Sequence, residues 1–455
     1  MKAHLKSGAP AALLFASFMF LQLIILRMGN QAGQGFLPAG QQELVYVFLQ
    51  VFVICGILLH ALLRSALKSS PALRATGTFA LALCAVCSAY MLFAPVDSAL
   101  YLAVTFIAVF CLGFTAGAVY LRMSEYCGAS LPVGASMGVG YSAALLLQFL
   151  FQLQWLIRPA VAVLALGAFV LLGSLILRRG PEAGEPAEVS SPGKLISACV
   201  IASALLLFTA FYSGYIHHLQ VASGYGTYNV YTWPRLLMIP GMLVFGLLGD
   251  YKKGRYLPLV TLCFSVLAFL NSALAGKADA YRLNMCLYYI SLSAAVAYYN
   301  LTFWHLAPGT KNPALWSAAG RMLDSLIVIP LCLVSLTEAS AGVVLSLNIA
   351  ALVTIIVLMA VNGDFDLSGG RTKAPDLTMS EDEALACLAR RYSLTPSELR
   401  VFRLLVLTED KQAAIADELD LKLRTVQANV TSIYRKTGTA TRSGLVQLYH
   451  DVQKQ

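Results

Sequence analysis

The sequence predicts an all-α chain: a polytopic membrane bundle of about twelve transmembrane helices, six plus six, followed by a small four-helix domain with a helix-turn-helix. Three observations predict it. Of 455 residues, 58% are hydrophobic and only 12% charged, roughly half the charged share of ordinary soluble domains. Apolar runs long enough to cross a bilayer, which takes roughly 20 residues, fill positions 1–361. From 362 onward the chain turns polar and carries helix caps and amphipathic spacing instead.

The first six runs fall at 11–27, 42–63, 75–94, 98–120, 132–154 and 157–177. The second six fall at 195–216, 228–249, 254–275, 281–303, 316–336 and 339–361. Between the sets lies "RRGPEAGEPAEVSSPGK" (178–194), whose Pro, Gly, Glu and Ser content is that of a linker. Basic residues in the short loops set the orientation. With the N-terminus inside, thirteen Lys/Arg fall on the inner side and four, Arg27, Arg158, Lys277 and Arg282, on the outer. The expectation is a multi-pass protein of the cytoplasmic (inner) membrane with both termini cytoplasmic. The first run has no convincing cleavage site and is expected to stay as an anchor.

Two sets of six joined by a polar linker resemble the major facilitator superfamily over residues 1–361. One local stretch supports the likeness: "GLLGDYKKGRY", Gly246 to Tyr256, is similar to that family's loop motif of Gly, Asp, Gly and Arg, with one extra residue between Asp250 and Gly254. The corresponding loop of the first half, "LLRSALKSSPALR", lacks it, and a plain positively charged inside loop reads equally well. Active transport does not follow from the fold.

Ionisable residues in hydrocarbon are costly and mark functional paths, and few are present. Arg321 and Asp324, three apart on the eleventh run, can pair on one helix face as a structural or gating pair near the cytoplasmic mouth. Arg235 is expected near the outer end of its run, and Glu43 and His60 at opposite ends of the second. Aromatic and polar residues gather around 212–233, on the tenth run at Tyr288, Tyr289, Tyr298, Tyr299, Asn300 and Trp304, and at Gln148, Gln152 and Gln154. Interfacial belts account for many of them. The rest suggest a pocket for a small organic ligand, with Tyr212, Tyr215, Gln148, Tyr298 and Asn300 as candidate walls. His217-His218 lacks a third ligand for a metal, and Cys84-x-x-Cys87 sits in an apolar run as packing residues. No catalytic triad, phosphate loop or metal constellation is evident, so neither an enzyme nor a cofactor is expected.

The tail opens with a flexible linker, 362–379, and a domain at 380–455. Ser380 and Glu383 form a capping box ahead of "EDEALACLARRY"; Thr395-Pro396-Ser397-Glu398 forms a second, with Pro at the first helical position. Its helix strings Leu399, Phe402, Leu405 and Val406 along one stripe. "KQAAIADEL", the turn "DLK", "LRTVQANVTSIYRKT" and "RSGLVQLYHDV" complete the pattern of a helix-turn-helix. The tail is neutral in total, yet from Lys422 on it holds six basic residues and one acidic, Asp451.

Leu394 to Tyr449 resembles the LuxR-type helix-turn-helix domain. It carries Leu394, Thr395, Pro396 and Glu398; Ile415, Ala416 and Leu419; Thr425-Val426; Ile433, Lys436 and Gly438; and Arg442 with Leu445-Val446, all in the family's register. The resemblance implies that Gln427, Ala428 and Thr431 read base edges. Gln suits adenine, and Ala or the Thr methyl suits the thymine methyl. Thr425, Arg435 and Lys436 are implied to hold phosphate. Asp420 stands where a turn Gly is usual and is expected to take a left-handed conformation, which Asp tolerates. Lys422 replaces a Ser cap, at a cost of about 1 kcal/mol. Asn429 and Thr437 replace a frequent His and Leu.

Together the parts imply a membrane-bound one-component transcription regulator. The bilayer-embedded bundle would sense a small molecule, and the tail would bind double-stranded DNA as a homodimer. The alternative is a major-facilitator-type transporter with a regulatory C-terminal domain.

Overall fold

Hydrocarbon offers no water to backbone N–H and C=O groups, so an apolar run that crosses it becomes a helix. In the computed structural model a helix stands at each of the twelve expected positions. The structure describes residues 2–32, 37–67, 71–129, 131–177, 192–222, 232–254, 256–272, 281–333, 341–361, 381–408, 411–439 and 441–453. The linker 362–379 with Ser380, most of the linker 178–194, and the side chains of Glu43, Tyr212, Tyr215, His217 and His218 lie outside that description. The chain divides into two compact units, Met1–Phe365 and Asp366–Gln455.

In the first unit the helices are α1 Lys2–Gly29, α2 Ala39–Leu67, α3 Pro71–Phe93, α4 Ala99–Gly128, α5 Val133–Gln152, α6 Arg158–Leu177, α7 Pro192–Ala222, α8 Met238–Asp250, α9 Leu257–Ser272, α10 Tyr281–Leu306, α11 Pro313–Ser317, α12 Ala319–Leu333 and α13 Ala341–Val361. Two spans depart from expectation. The eighth, expected at 228–249, enters through a 3-10 turn, Trp233–Leu237, with Pro234 in its first turn where the missing N–H costs nothing. The eleventh, expected as one helix over 316–336, is broken: Asn312 caps α11, and Ala318 bonds back to Leu315 in a tightened turn before α12 begins.

Packing repeats from one half to the other. The first six helices pair as α1–α5, α2–α4 and α3–α6; the second six pair as α7–α12, α8–α10 and α9–α13, the same three pairings six spans on. The halves join through α5–α8 and α2–α12, which that repeat also exchanges. Hydropathy separates core from rim: 61% of the apolar windows of α1, α4 and α5 is buried, against 33% and 28% for α3 and α6. Phe79, Val86, Val163, Leu166 and Val170 accordingly point outward as a lipid-facing surface.

Without a hydrophobic drive between helices in lipid, small residues set the close contacts. At the α5–α8 seam a Cβ added to Gly134 would collide with the carbonyl oxygen of Gly246, and one added to Gly246 with that of Gly134. Gly246→Val is therefore expected to push the halves apart and lower bundle stability by about 1–3 kcal/mol. Gly77→Val, where a Cβ meets nothing within 4 Å, is the neutral control. Thermal inactivation of the detergent-solubilised protein checks the pair; equal half-lives would reject the seam as a constraint.

In the second unit five helices are described, one at each helical segment read in the tail: α14 Glu381–Arg391, α15 Pro396–Leu407, α16 Gln412–Glu418, α17 Leu423–Thr437 and α18 Arg442–Gln453. α14, the helix expected in "EDEALACLARRY", packs on α18 and α15 and places Ala384 and Leu388 in the core with Phe402, Ile415, Val430 and Leu445. The capping box forms as expected. Thr395 N donates to Glu398 Oε2 at 2.6 Å and Glu398 N to Thr395 Oγ1 at 3.3 Å. Asp420 takes φ +54° in the turn between α16 and α17, and Gly438 takes φ +70° past the end of α17. Lys422 stands at the N-cap with no side-chain capping bond.

Candidate functional site

The membrane unit holds a cavity of about 230 Å³ lined from eight spans. Gln22, Arg27 and Asn30 reach it from α1, Tyr46 and Gln50 from α2, Tyr120 from α4, Tyr141 and Gln148 from α5, Arg235 from the turn before α8, and Arg321 and Asp324 from α12. From α10 come Tyr288, Leu292, Val296, Tyr299 and Asn300, a stripe at helical spacing.

The candidate residues separate accordingly. Gln148 and Asn300 line the cavity, each anchored: Gln148 Nε2 donates to Leu23 O at 3.3 Å, and Asn300 Nδ2 to Val296 O at 2.9 Å. Tyr298 does not line it; about 100° round the helix from Tyr299, it is buried elsewhere. Arg321 and Asp324 pair as expected, and both line the cavity wall. Arg321 Nη2 also donates to Gln50 Oε1 at 3.3 Å, and Ser325 Oγ to the same oxygen at 2.8 Å, so α2 and α12 share one polar knot. Arg27 and Arg235, read from the sequence as residues of outer ends, both face the cavity. The Arg27 guanidinium also lies 5.8 Å from the centre of the Phe151 ring. Their signal was a basic residue just inside an apolar run; the loop count absorbed Arg27, and Arg235 was placed at the end of its run.

Asp250 has a partner that neither reading of its loop named. Its carboxylate accepts from Gly134 N at 2.8 Å and Ala135 N at 2.7 Å, capping the positive end of α5 across the seam between the halves.

In the second unit the helix α17 is cleanly two-sided. Val426, Val430 and Ile433 are buried, while Arg424, Thr425, Gln427, Ala428, Thr431 and Arg435 are exposed together. Thr431 Oγ1 donates to Gln427 O at 2.9 Å. Asn429 donates to Ser397 Oγ at 3.2 Å, which ties α17 to the start of α15.

Lys436 departs from its implied phosphate role. Its ammonium donates to Glu398 Oε2 at 2.7 Å and to Ser393 O at 2.9 Å, so the domain itself occupies it. Glu398 is the hub: besides the cap, its Oε1 accepts from Ser432 Oγ at 2.6 Å. Burial alone would raise this carboxyl, but the bonds from Lys436, Ser432 and the Thr395 backbone outweigh it and hold the group down at about 2. Arg442 has a similar bracing part, bonding the carbonyls of Leu405 and Thr408 at the end of α15.

No family model matches the chain, and no curated protein matches it. Among solved structures 83 chains match. The human organic anion transporter MFSD10 (TETRAN) is 14% identical, covered to 99% by 78% of this chain, with a TM-score of 0.51. The E. coli fucose:proton symporter FucP is 13% identical, covered to 98% by 77% of this chain, with a TM-score of 0.46. At such identities the likeness is one of fold alone: the membrane unit is an all-α bundle folded like a major-facilitator transporter.

Proposed function

We propose that the protein is a membrane-bound one-component transcription regulator. It lies in the cytoplasmic membrane with both termini inside, and its bundle senses a small molecule. Its tail binds promoter DNA as a homodimer through α17. The observation that carries this reading is the shared exposure of Gln427, Ala428 and Thr431, flanked by Thr425 and Arg435, on a helix whose other side is core. That is the face a recognition helix offers to a major groove. The base-reading residues set sequence preference; Thr425 and Arg435 hold phosphate and set register. The resemblance of Leu394–Tyr449 to LuxR-type domains supports the same assignment.

Crosslinking of full-length protein to DNA in intact cells tests it, with the Gln427→Ala/Thr431→Ala variant at equal membrane level. Each lost base contact is worth about 1–3 kcal/mol of discrimination, so discrete peaks in the wild type should vanish in the variant. Absence of peaks, with and without inducers of neighbouring genes, rejects the regulator. The second reading, a transporter with a regulatory tail, draws on the polar cavity within a transporter-like bundle. Accumulation of a cavity ligand in vesicles would favour it.

A further inference from the structure

One turn ahead of Gln427 and Ala428, the second residue of α17 is Arg424, exposed as they are. At about 100° per residue, Gln427, Ala428 and Thr431 stand at roughly −60°, +40° and −20° from it. Arg424 therefore lies within about 15° of their mean direction, whereas Thr425 is turned roughly 115° away, towards the flank of the helix. Other basic residues of this part of the domain are taken up inside it. Lys436 closes on Glu398 and Ser393, and Arg442 on the carbonyls that end α15. Among the described residues no carboxylate or carbonyl takes the Arg424 guanidinium. Arg435 shares the stripe but belongs to the last turn of α17. The N-terminal residues of a recognition helix are the ones that meet base edges, while its far end runs out towards the backbone. In the major groove guanine presents two acceptors side by side, N7 and O6, and the planar fork of a guanidinium meets both at once. Adenine and cytosine each put an amino donor in its way, and thymine a methyl group.

We propose that Arg424 is a further base-reading residue and selects a guanine at one end of each half-site. The proposal rests on the reading of α17 as a recognition helix and adds to that reading a residue and a base. Three residues of helix rise about 4.5 Å and seven about 10.5 Å, against roughly 3.4 Å per base-pair step. The guanine accordingly lies about one or two steps from the A·T pairs that Gln427, Ala428 and Thr431 suit. A contact from Arg424 to phosphate alone would fix register and carry no sequence, which is the difference the test reads.

Full-length protein is crosslinked to DNA in intact cells, and the sequence common to the wild-type peaks is determined. Duplexes from one peak, carrying each of the four base pairs at the guanine position, are then titrated with full-length protein in lipid nanodiscs, with any inducer that gave the peak. Exchanging the guanine should weaken wild-type binding at least about tenfold. Arg424→Ala should bind all four duplexes within about twofold of one another and keep the wild-type preference at the A·T pairs. Arg424→Gln should lose guanine and shift towards adenine, whose N6 and N7 suit an amide; it serves if the Ala variant fails to fold. Arg435→Ala supplies the pattern of a phosphate contact: weaker binding to all four duplexes alike and a salt slope smaller by about one. That same pattern in Arg424→Ala, a guanine preference that survives in both Arg424 variants, or a wild-type site without the guanine overturns the proposal. Wild-type peaks that vanish in Gln427→Ala/Thr431→Ala, with base preferences unmoved by the Arg424 variants, sink this inference alone. No wild-type peaks under any inducer sink the reading of α17 and this inference with it.

Discussion

Arg321→Ala is expected to destabilise the membrane bundle by about 3–5 kcal/mol, more than any other single change in that unit. The substitution strands the Asp324 carboxylate in the interior, where an ionised group without its counter-charge is costly. It also takes a donor from Gln50, which then holds only Ser325, loosening the knot between α2 and α12 that joins the two halves. Removing both charges should be far milder. Arg321→Met/Asp324→Leu replaces a buried pair by apolar groups of similar volume, a change that is often neutral or even stabilising. Unfolding in mixed micelles of the single and double variants decides the matter. If the double variant loses as much as the single, the damage lies in packing and the account from charge fails.

The contrast between those variants also shows what was legible beforehand. The i, i+3 spacing of Arg321 and Asp324 was enough to predict that they pair, because a helix puts such residues on one face whatever surrounds it. That they line the cavity was not legible, since the eleventh span is broken at Ala318 and its helical register starts anew at Ala319. Helix positions follow from apolar run length, which is local, so all twelve spans could be placed. Cavity walls follow from which faces of eight spans converge, and that is not local. Thus Gln148 and Asn300 were found by residue type, Tyr298 was chosen over Tyr299 for want of the helix phase, Arg27 was assigned to an outer loop and Arg235 to the outer end of its span. Glycine seams escaped for the same reason: Gly134 and Gly246 matter only because α5 and α8 cross there.

In the tail, more could be read, since short helices with strong caps state their own limits. The Thr395–Glu398 box, the left-handed Asp420 and the uncapped Lys422 all follow from neighbours in the chain. What escaped was tertiary. Lys436 looked like a residue for phosphate because it is basic and close to the end of α17; its ammonium instead closes on Glu398, 38 positions earlier. The same carboxylate serves the cap locally and the α15–α17 contact at long range, and only the first function has a sequence signature.

That double duty makes Glu398 the most sensitive residue of the tail. Glu398→Ala removes the acceptor for Thr395 N, Ser432 Oγ and Lys436 Nζ at one stroke. A carboxyl brought from 4.5 down to about 2 by folding is linked to on the order of 3 kcal/mol of stability at neutral pH. The sign follows from which form folding favours: the folded domain prefers the carboxylate. The contribution is therefore full above about pH 4.5, the unfolded value, and declines as pH falls through about 2, the folded value. Amide hydrogen exchange of α15 and α17 in full-length protein measures it, wild type and Glu398→Gln being compared at each pH so that intrinsic exchange rates cancel. Wild-type protection should exceed that of the Gln variant at pH 7 and still do so near pH 5, then converge with it in strong acid. A gap that persists at the lowest pH would assign the effect to shape and not to charge. A variant as protected as wild type at pH 7 would leave the buried carboxylate with no stabilising part, and Lys436 would then return to consideration as a phosphate contact.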